Sequence, residues 1–176
     1  QKPPVIYRYI ATDAALAEAC ERWGQSKSLA MDTEFMRVTT FYPKAALFQI
    51  SDGQDIALLD PLYIQHWQPF SALLTNPDIV KILHSCSEDL LVFLNFIGVM
   101  PTPLFDTQVA SSMLEHGLSI SYQNIVKHYM GIDLPKGETR SDWLQRPLTE
   151  NQCEYAALDV AYLHEIWEAQ TRQLIS

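Results

Sequence analysis

The sequence predicts an α/β domain built on a mixed β-sheet that is flanked by helices. Three short apolar runs, residues 28–34, 45–51 and 56–59, follow one another, and turn residues separate the last two, as in an antiparallel meander. Beyond residue 60, strand-like and helix-like segments alternate, which is typical of parallel strands joined by helices. Together the two patterns predict one sheet with both pairing directions.

Apolar periodicity and capping residues place the other elements in order along the chain. They are an extended segment at 5–10, a helix at 14–23 capped by Thr12 and Asp13, a short helix at 70–74, a strand at 79–84, a helix at 88–96 capped by Ser85 or Ser87, a strand at 104–106, helices at 107–114 and 123–130, an irregular segment at 134–147, and one long final helix that begins at a capping box of Thr149 and Gln152.

The composition is that of an ordinary globular protein. A chain of 176 residues, 48% apolar and 19% charged, has the usual size of one domain, so we expect residues 1–176 to fold as a single unit. The first residue is Gln1 rather than Met, which is compatible with a piece of something longer.

The cysteines and the hydropathy pattern predict a cytoplasmic protein. Cys20, Cys86 and Cys153 are odd in number and far apart, which indicates neither a disulfide framework nor a zinc site and favours a reducing compartment. The start of the chain has no signal-peptide pattern, and no apolar stretch approaches the ~18–20 residues that cross a bilayer.

The net charge argues against a strong, free-standing nucleic-acid binder. Twelve basic residues face 21 acidic ones, giving −9, whereas such affinity comes mainly from Lys and Arg. Even if four acids bind metal, −9 + 4 leaves −5. Substrate capture would then need another module, or only a weak grip on a chain end.

Two carboxylates at the end of a buried strand are the first candidate for a functional site. Asp32 and Glu34 are two residues apart, so both leave the same face of the strand, while Thr33 points to the other. A divalent cation with a preference for oxygen, Mg²⁺ or Mn²⁺, would offset the cost of placing them together. The alternative is a strand that simply ends in solvent.

Two further acids follow at later element ends. Asp89 begins the helix after the strand at 79–84, where it could also serve only to stabilise the helix N-terminus. Tyr155 and Asp159 are four residues apart on the final helix and therefore share one face, with small residues between them. Neither pattern is specific alone.

The ordered set resembles a known family. Met31-Asp32-Thr33-Glu34-Phe35, the segments 84–93 and 105–108, and the stretch from Ser141-Asp142-Trp143 to Tyr155-Ala156-Ala157-Leu158-Asp159 are together similar to ribonuclease D, in the tyrosine branch of the DEDD exonuclease superfamily. The resemblance covers essentially the whole chain.

The resemblance implies an RNase H-like fold, two divalent cations, Mg²⁺ or Mn²⁺, and release of nucleoside 5′-monophosphates from RNA 3′ ends, with transfer-RNA precursors as the implied substrates. It implies catalytic roles for Asp32, Glu34, Asp89, Tyr155 and Asp159, the four acids as metal ligands and Tyr155 as the group that orients the attacking water. The family usually carries helical HRDC domains after the nuclease, and we expect none within this chain.

A second motif assignment is possible on spacing alone. His84 and Asp89 have the five-residue offset of the last motif in the histidine branch of the superfamily. That motif belongs on the last helix, where Tyr155 and Asp159 already fit. We therefore expect His84 to be a structural or supporting residue.

Substrate contacts are predicted around the first motif. The resemblance suggests Glu34 and the backbone near Thr33 and Phe35 as contacts of the terminal 3′-hydroxyl. Phe35 and Met36 are candidates for contact with the terminal base, and ordinary core packing is the alternative for both.

The irregular segment at 134–147 offers phosphate contacts. Lys136, Arg140 and Arg146 are the candidates, with Trp143 as a stacking surface. Alternatively these are solvated loop charges, and Asp142 with Trp143 pins the segment to the domain. Arg37 and Lys44, which flank the first motif, leave the same two possibilities open.

Two other functions remain open at this point. A DNA 3′–5′ exonuclease of the Werner type uses a closely similar acid set, and digestion of matched RNA and DNA would separate the two. A non-catalytic nucleic-acid-binding module is the other, although an intact set of mutually repelling carboxylates argues against it.

Overall fold

The computed structural model describes residues 5–38, 41–114, 117, 119–135, 137 and 140–176. The strands are β1 (Arg8–Ile10), β2 (Ser28–Met36), β3 (Lys44–Ser51), β4 (Ile56–Leu59), β5 (Val80–Leu83) and β6 (Leu104–Asp106). The helices are α1 (Asp13–Trp23), α2 (Gln68–Leu74), α3 (Ser87–Phe96), α4 (Thr107–Met113), α5 (Tyr122–Met130), α6 (Glu150–Ala161) and α7 (Leu163–Ile175).

The six strands form one mixed sheet in the order β1-β4-β3-β2-β5-β6. β2, β3 and β4 make the predicted antiparallel meander, while β1 runs parallel to β4, β5 to β2 and β6 to β5. β2 therefore lies in the interior of the sheet, paired on both sides. The predicted fold class, a mixed sheet with flanking helices, is confirmed.

The two faces of the sheet are covered by different helices. Leu29, Met31 and Phe48 face one core cluster, which includes the buried apolar residues of α1, α2 and α3. On the other face, Ala30 and Leu58 pack against residues of α6 and α7. Alternate residues of β2 thus enter opposite cores, as the period of an extended strand requires.

Most predicted caps are confirmed. The Thr12 hydroxyl accepts a hydrogen bond from the backbone N–H of Ala15, and Thr149 and Gln152 form the reciprocal capping box.

The prediction of one long final helix was wrong. The helix is interrupted at Tyr162, whose φ and ψ of −116° and 3° end α6 and allow α7 to begin.

The predicted serine cap of α3 was also wrong. Cys86 occupies the N-cap position and gives no side-chain hydrogen bond. The Asp106 carboxylate, which follows β6, accepts hydrogen bonds from the backbone N–H groups of Ser85 at 2.9 Å and Cys86 at 3.0 Å. A carboxylate distant in sequence, rather than a local hydroxyl, thus accepts the hydrogen bonds of the backbone N–H groups before α3.

A β-bulge interrupts the pairing of β2 with β3. Glu34 pairs with Leu47 but Phe35 pairs with Ala45, so Ala46 has no partner on β2. The Arg146 guanidinium donates a 2.6 Å hydrogen bond to the Ala46 carbonyl. Such bulges bend a strand and change the direction of its side chains.

A buried ion pair holds this region together. Arg146 donates from Nε to Asp60 Oδ2 at 2.9 Å and from Nη2 to Asp60 Oδ1 at 3.1 Å, and the two side chains are 11% and 0% exposed. Asp60 also accepts from the Tyr9 hydroxyl, and Arg146 donates to the Trp143 carbonyl. The pair therefore joins β1, the end of β4 and the segment before α6.

Among the described residues, no helix is both long enough and apolar enough to span a membrane.

Arg146→Ala should destabilise the domain strongly, because it leaves the Asp60 carboxylate buried without its cation. Loss of one partner of a buried pair costs about 3–5 kcal/mol, or roughly 6–20 °C in Tm for a domain of this size. Arg37→Ala is the matched control. It removes the exposed pair with Glu88, worth about 0–1 kcal/mol. Thermal unfolding of both variants checks this, and equal small shifts would contradict it.

Candidate active site

Asp32 and Glu34 lie near the end of β2, on the face covered by α6. They alternate with Thr33, and the register places Gln49 of β3 opposite Asp32 and Leu47 opposite Glu34. Both residues are partly buried, whereas the preceding residues Leu29, Ala30 and Met31 are fully buried. The strand thus carries two acids from the core to the domain surface on one face.

α6 brings the third acid to the same place. Asp159 is one helical turn beyond Tyr155, and Ala156 and Ala157 between them are fully buried, so the helix backbone lies close to the sheet. One carboxylate oxygen each from Asp32, Glu34 and Asp159 lies within 4.8 Å of the others. The structure therefore brings three of the four predicted acids together in a group that fits a divalent cation, because such ions take carboxylate oxygens as ligands.

Burial and mutual repulsion act on all three carboxyls. Burial, and then the charges of Asp89 and Asp159, raise the pKa of Asp32 well above its ordinary value. Burial and Asp32 do the same to the pKa of Glu34, and burial and Glu34 to the pKa of Asp159. A proton or a cation between these groups is thus strongly favoured.

Asp89 stands apart from this group of three. It lies in the first turn of α3, is 6% exposed, and accepts a hydrogen bond from the Thr33 hydroxyl. Burial raises the pKa of Asp89 to about 7, although the bond from Thr33 opposes the shift. Thr33 points away from Asp32, as predicted, and on that side it meets Asp89. A role of Asp89 as a metal ligand stays a prediction.

The backbone before α3 is constrained by Asp106. Ser85 has a positive φ of 57°, and its N–H and that of Cys86 both point at the Asp106 carboxylate. Burial alone would raise the pKa of Asp106, but the hydrogen bonds from these N–H groups hold it below its ordinary value. Asp106 also caps α4 through Gln108 N–H at 2.8 Å. It therefore fixes the start of the helix that carries Asp89.

A cavity of about 160 Å³ lies beside the carboxylates. Its lining includes Asp32, Asp159, Tyr155, His84 and Tyr122. Tyr155 is 9% exposed, and its ring centroid is 6.2 Å from that of Trp143. Tyr155 thus reaches the predicted site from the core on the α6 side.

His84 and Tyr122 support the wall of this cavity. His84 Nε2 lies 2.8 Å from the Ile120 carbonyl, which can only accept, so Nε2 carries the proton and Nδ1 accepts from the Thr107 hydroxyl at 2.7 Å. Burial lowers the pKa of His84. The Tyr122 hydroxyl donates to the Leu158 carbonyl at 2.7 Å, next to Asp159. These contacts hold His84 in the cavity wall, and its role as a structural or supporting residue stays a prediction.

Phe35 and Met36 are half-buried and pack on opposite sides. Phe35 packs against the core shared by α1–α3, and Met36 packs against the core that contains Trp143. The packing explains both residues. Contact of either with a terminal base stays a prediction.

The structure excludes some of the phosphate and stacking contacts predicted for the segment at 134–147 and allows others. Trp143 cannot be a stacking surface, because its side chain is 1% exposed and lies in the core. Arg146 cannot hold phosphates, because Asp60 and three carbonyls engage it.

Arg140 is exposed, as its predicted role requires, and Lys136 lies outside the described residues. Asp142 accepts through its carbonyl from the Gln152 side chain, which supports the pinning alternative.

The charges beside the first motif are at the surface. Arg37 pairs with Glu88 at 2.9 Å, and both side chains are exposed. Lys44 is also exposed and begins β3 opposite Met36. Either residue remains accessible to a substrate backbone.

Gln49 is a site residue that the sequence analysis missed. It is fully buried on β3, and its Nε2 donates to Glu34 Oε2 at 3.0 Å and lies 3.5 Å from Asp32 Oδ2. The available signal was a single amide within the apolar run 45–50 of a strand expected beside the one that carries the acids.

Comparisons with known proteins match this architecture. The 3′–5′ exonuclease family model matches residues 7–175. Ribonuclease D of Pseudomonas paraeruginosa is 53% identical over 167 residues, which are 95% of this chain and 44% of that protein. Escherichia coli RNase D, described as an exoribonuclease involved in structured RNA processing, superposes with a TM-score of 0.92 at 47% identity over 95% of this chain and 44% of that one.

A second structure, Brucella melitensis NrnC with bound Mg²⁺, has a TM-score of 0.74 at 28% identity over 85% of this chain and 74% of that one. The chain spans less than half the length of the ribonuclease D proteins it matches. Its mixed sheet has the RNase H-like exonuclease fold of these structures. The chain therefore belongs to the 3′–5′ exonuclease family, among the proteins related to ribonuclease D.

Proposed function

We propose that residues 1–176 form a single, metal-dependent 3′–5′ exoribonuclease domain that releases nucleoside 5′-monophosphates. The observation that carries the proposal is the convergence of Asp32, Glu34 and Asp159 within 4.8 Å in a chain that matches 3′–5′ exonucleases over residues 7–175. Asp89 and Tyr155 flank this group, so all five predicted catalytic residues belong to one region.

The site would hold two divalent cations, Mg²⁺ or Mn²⁺. The chemistry of the donors supports this, since all four acids offer hard carboxylate oxygens. All four also have raised pKa values, which a bound cation would lower. Asp32 is the candidate shared ligand, because both Asp89 and Asp159 act on its pKa. When bound, two such ions offset the charge of the phosphodiester and lower the pKa of the attacking water.

The protein supplies orientation rather than a covalent nucleophile. Tyr155 would hydrogen-bond the attacking water, and since a phenol has an ordinary pKa of about 10, it orients this water more than it removes its proton. Glu34 and the backbone near Thr33 would bind the terminal 3′-hydroxyl. The partial exposure of Glu34 supports that role, because a chain terminus can reach its side chain.

We propose RNA 3′ ends, including those of transfer-RNA precursors, as substrates, and the cytoplasm as the compartment. The relation to E. coli RNase D supports the first, and the three free, buried cysteines support the second. The net charge of −9 argues that phosphate binding in this domain depends on the cations more than on basic side chains.

Digestion of matched 3′-labelled RNA and DNA tests the substrate class. We expect RNA to be shortened one nucleotide at a time from the 3′ end, with 5′-monophosphates as products. Preferential digestion of DNA would favour a Werner-type function instead. Binding of either nucleic acid without products would favour a non-catalytic module.

Asp32→Asn should reduce kcat by more than about 100-fold, because losing a ligand exceeds the ~10–100-fold effect of losing a group behind the ligands. The fold should persist, since the change removes a repelling charge from a partly exposed side chain. Single-turnover digestion and thermal unfolding measure the two effects. Asp78→Asn is the control, because Asp78 is exposed in the turn before β5, away from the acids. Full activity in Asp32→Asn would sink the assignment.

Mg²⁺ should raise Tm, and more so at high pH. The four carboxyls have folded pKa values above the unfolded values of about 4, so the folded state binds more protons, and its stability falls as pH rises through that range. The stability that protonated Asp89 contributes is lost completely just above its pKa of about 7. Cations that bind the ionised acids restore this stability at high pH.

The measurement is thermal unfolding at about pH 5.5 and pH 8, with and without millimolar Mg²⁺. At about 2–4 °C per kcal/mol, we expect a shift of several degrees at pH 8 and a smaller one at pH 5.5. Asp32→Asn should raise Tm without Mg²⁺ at pH 8 and weaken the response to Mg²⁺. A response to Mg²⁺ that does not depend on pH would contradict the role of the acids.

A further inference from the structure

We infer that Gln49 is a positioning residue of the carboxylate site, and that its neutral amide sets the orientation of Glu34 and, through it, the affinity for divalent cations. The inference rests on the proposed metal-dependent function. It concerns a side chain that is not an acid, a metal ligand or part of any motif used above.

The position of Gln49 leaves it little other purpose. It lies in the middle of β3, between Asp32 of β2 and Leu58 of β4, and is 0% exposed. α6 covers this face with the fully buried Ala156 and Ala157. A glutamine in such surroundings is unusual, because a buried amide must be compensated by hydrogen bonds.

The amide faces the acids with its nitrogen. Ionised carboxylates only accept hydrogen bonds, so Nε2 must be the atom directed at Glu34, at 3.0 Å, and at Asp32, at 3.5 Å. Oε1 is then turned away from both, and it is buried without a hydrogen-bond partner among the described residues. A buried acceptor without a partner is costly, so the interaction of Nε2 with the acids maintains this orientation.

A neutral donor is the group that this position requires. A lysine or arginine would neutralise the carboxylates and compete with the cations for them. A glutamate would add a like charge, and an apolar residue would remove the hydrogen bond from β3 and leave Glu34 with its contact to Asp159. The amide fixes one oxygen of Glu34 and leaves the full negative charge of the acids available to a cation.

The two distances show that Gln49 interacts more strongly with Glu34 than with Asp32. The bond to Glu34 is short enough to orient it, whereas the contact with Asp32 is at the outer limit for a hydrogen bond. Glu34 is on a strand end next to the bulge, where pairing with β3 no longer constrains the backbone regularly. Gln49 thus supplies the restraint that the interrupted ladder does not.

Gln49→Met tests the inference, because methionine has a similar length but no N–H donor. Ser51→Ala is the matched control, since Ser51 is a buried polar residue on the same face of the same strand, and its hydroxyl accepts from Gly53 N–H instead of contacting the acids. Mn²⁺ affinity is measured directly from the signal of the free ion by electron paramagnetic resonance. Digestion of labelled RNA over a range of Mg²⁺ concentrations is measured in parallel.

We expect Gln49→Met to weaken Mn²⁺ binding and raise the Mg²⁺ concentration for half-maximal activity by about 10–100-fold, the usual effect of removing a group that orients a ligand. Saturating Mg²⁺ should restore most of kcat, and Ser51→Ala should leave both ion affinities unchanged. A purely structural Gln49 predicts a lower Tm with unchanged affinities, and that result would overturn the inference.

Gln49→Glu gives a second measurement if the methionine variant folds poorly. It preserves the size of the side chain but adds a fourth charge to the group, so it should lower Tm without cations at pH 8 and increase the rise in Tm on adding Mg²⁺. Equal Tm values with and without the substitution would also overturn the inference. If the parent protein binds Mn²⁺ but cleaves no RNA, the proposed function fails while the effect of Gln49 on ion affinity remains measurable.

Discussion

The repulsion between Asp32, Glu34 and Asp159 is the constraint on which the rest of the structure depends. Carboxylates within 4.8 Å of one another cannot all be ionised without a compensating charge, so the fold must hold them together against their own electrostatics. It does so with a strand paired on both sides and a helix whose buried alanines let it approach the sheet closely. The rigid frame is therefore a requirement of the site.

The frame is completed by polar groups outside the site. Asp106 fixes the backbone before α3 and so places Asp89, while the Asp60–Arg146 pair connects the bulge carbonyl of Ala46 to the segment before α6. Each is a buried group whose hydrogen bonds span elements far apart in sequence. Such bonds restrict the direction in which an element leaves the core, which hydrophobic contacts alone do not.

Sequence patterns predicted the sheet, the meander and the shared face of Asp32 and Glu34, because these follow from local period and turn residues. They could not predict the break at Tyr162, since no Gly or Pro marks it, nor the cap supplied by Asp106, which lies 20 residues beyond Cys86. The substrate contacts predicted for Trp143 and Arg146 were wrong for a related reason, whereas the alternative that Trp143 pins the segment to the domain fits its burial. An arginine and an aromatic in a polar segment look exposed until the tertiary fold supplies Asp60 and the α6 core around them.

The distribution of basic residues sharpens the role of the carboxylates. Arg22, Arg37, Lys127 and Arg146 pair with acids, and Lys81 is buried with its ammonium on two carbonyls. The remaining basic residues in the described ranges are scattered along the sequence from β1 to α7. Under the proposed function, in a domain of net charge −9, the acids that repel an RNA chain end would be the same groups that attract it once cations bind them. The proposed substrate affinity and the proposed catalysis would thereby depend on one set of side chains.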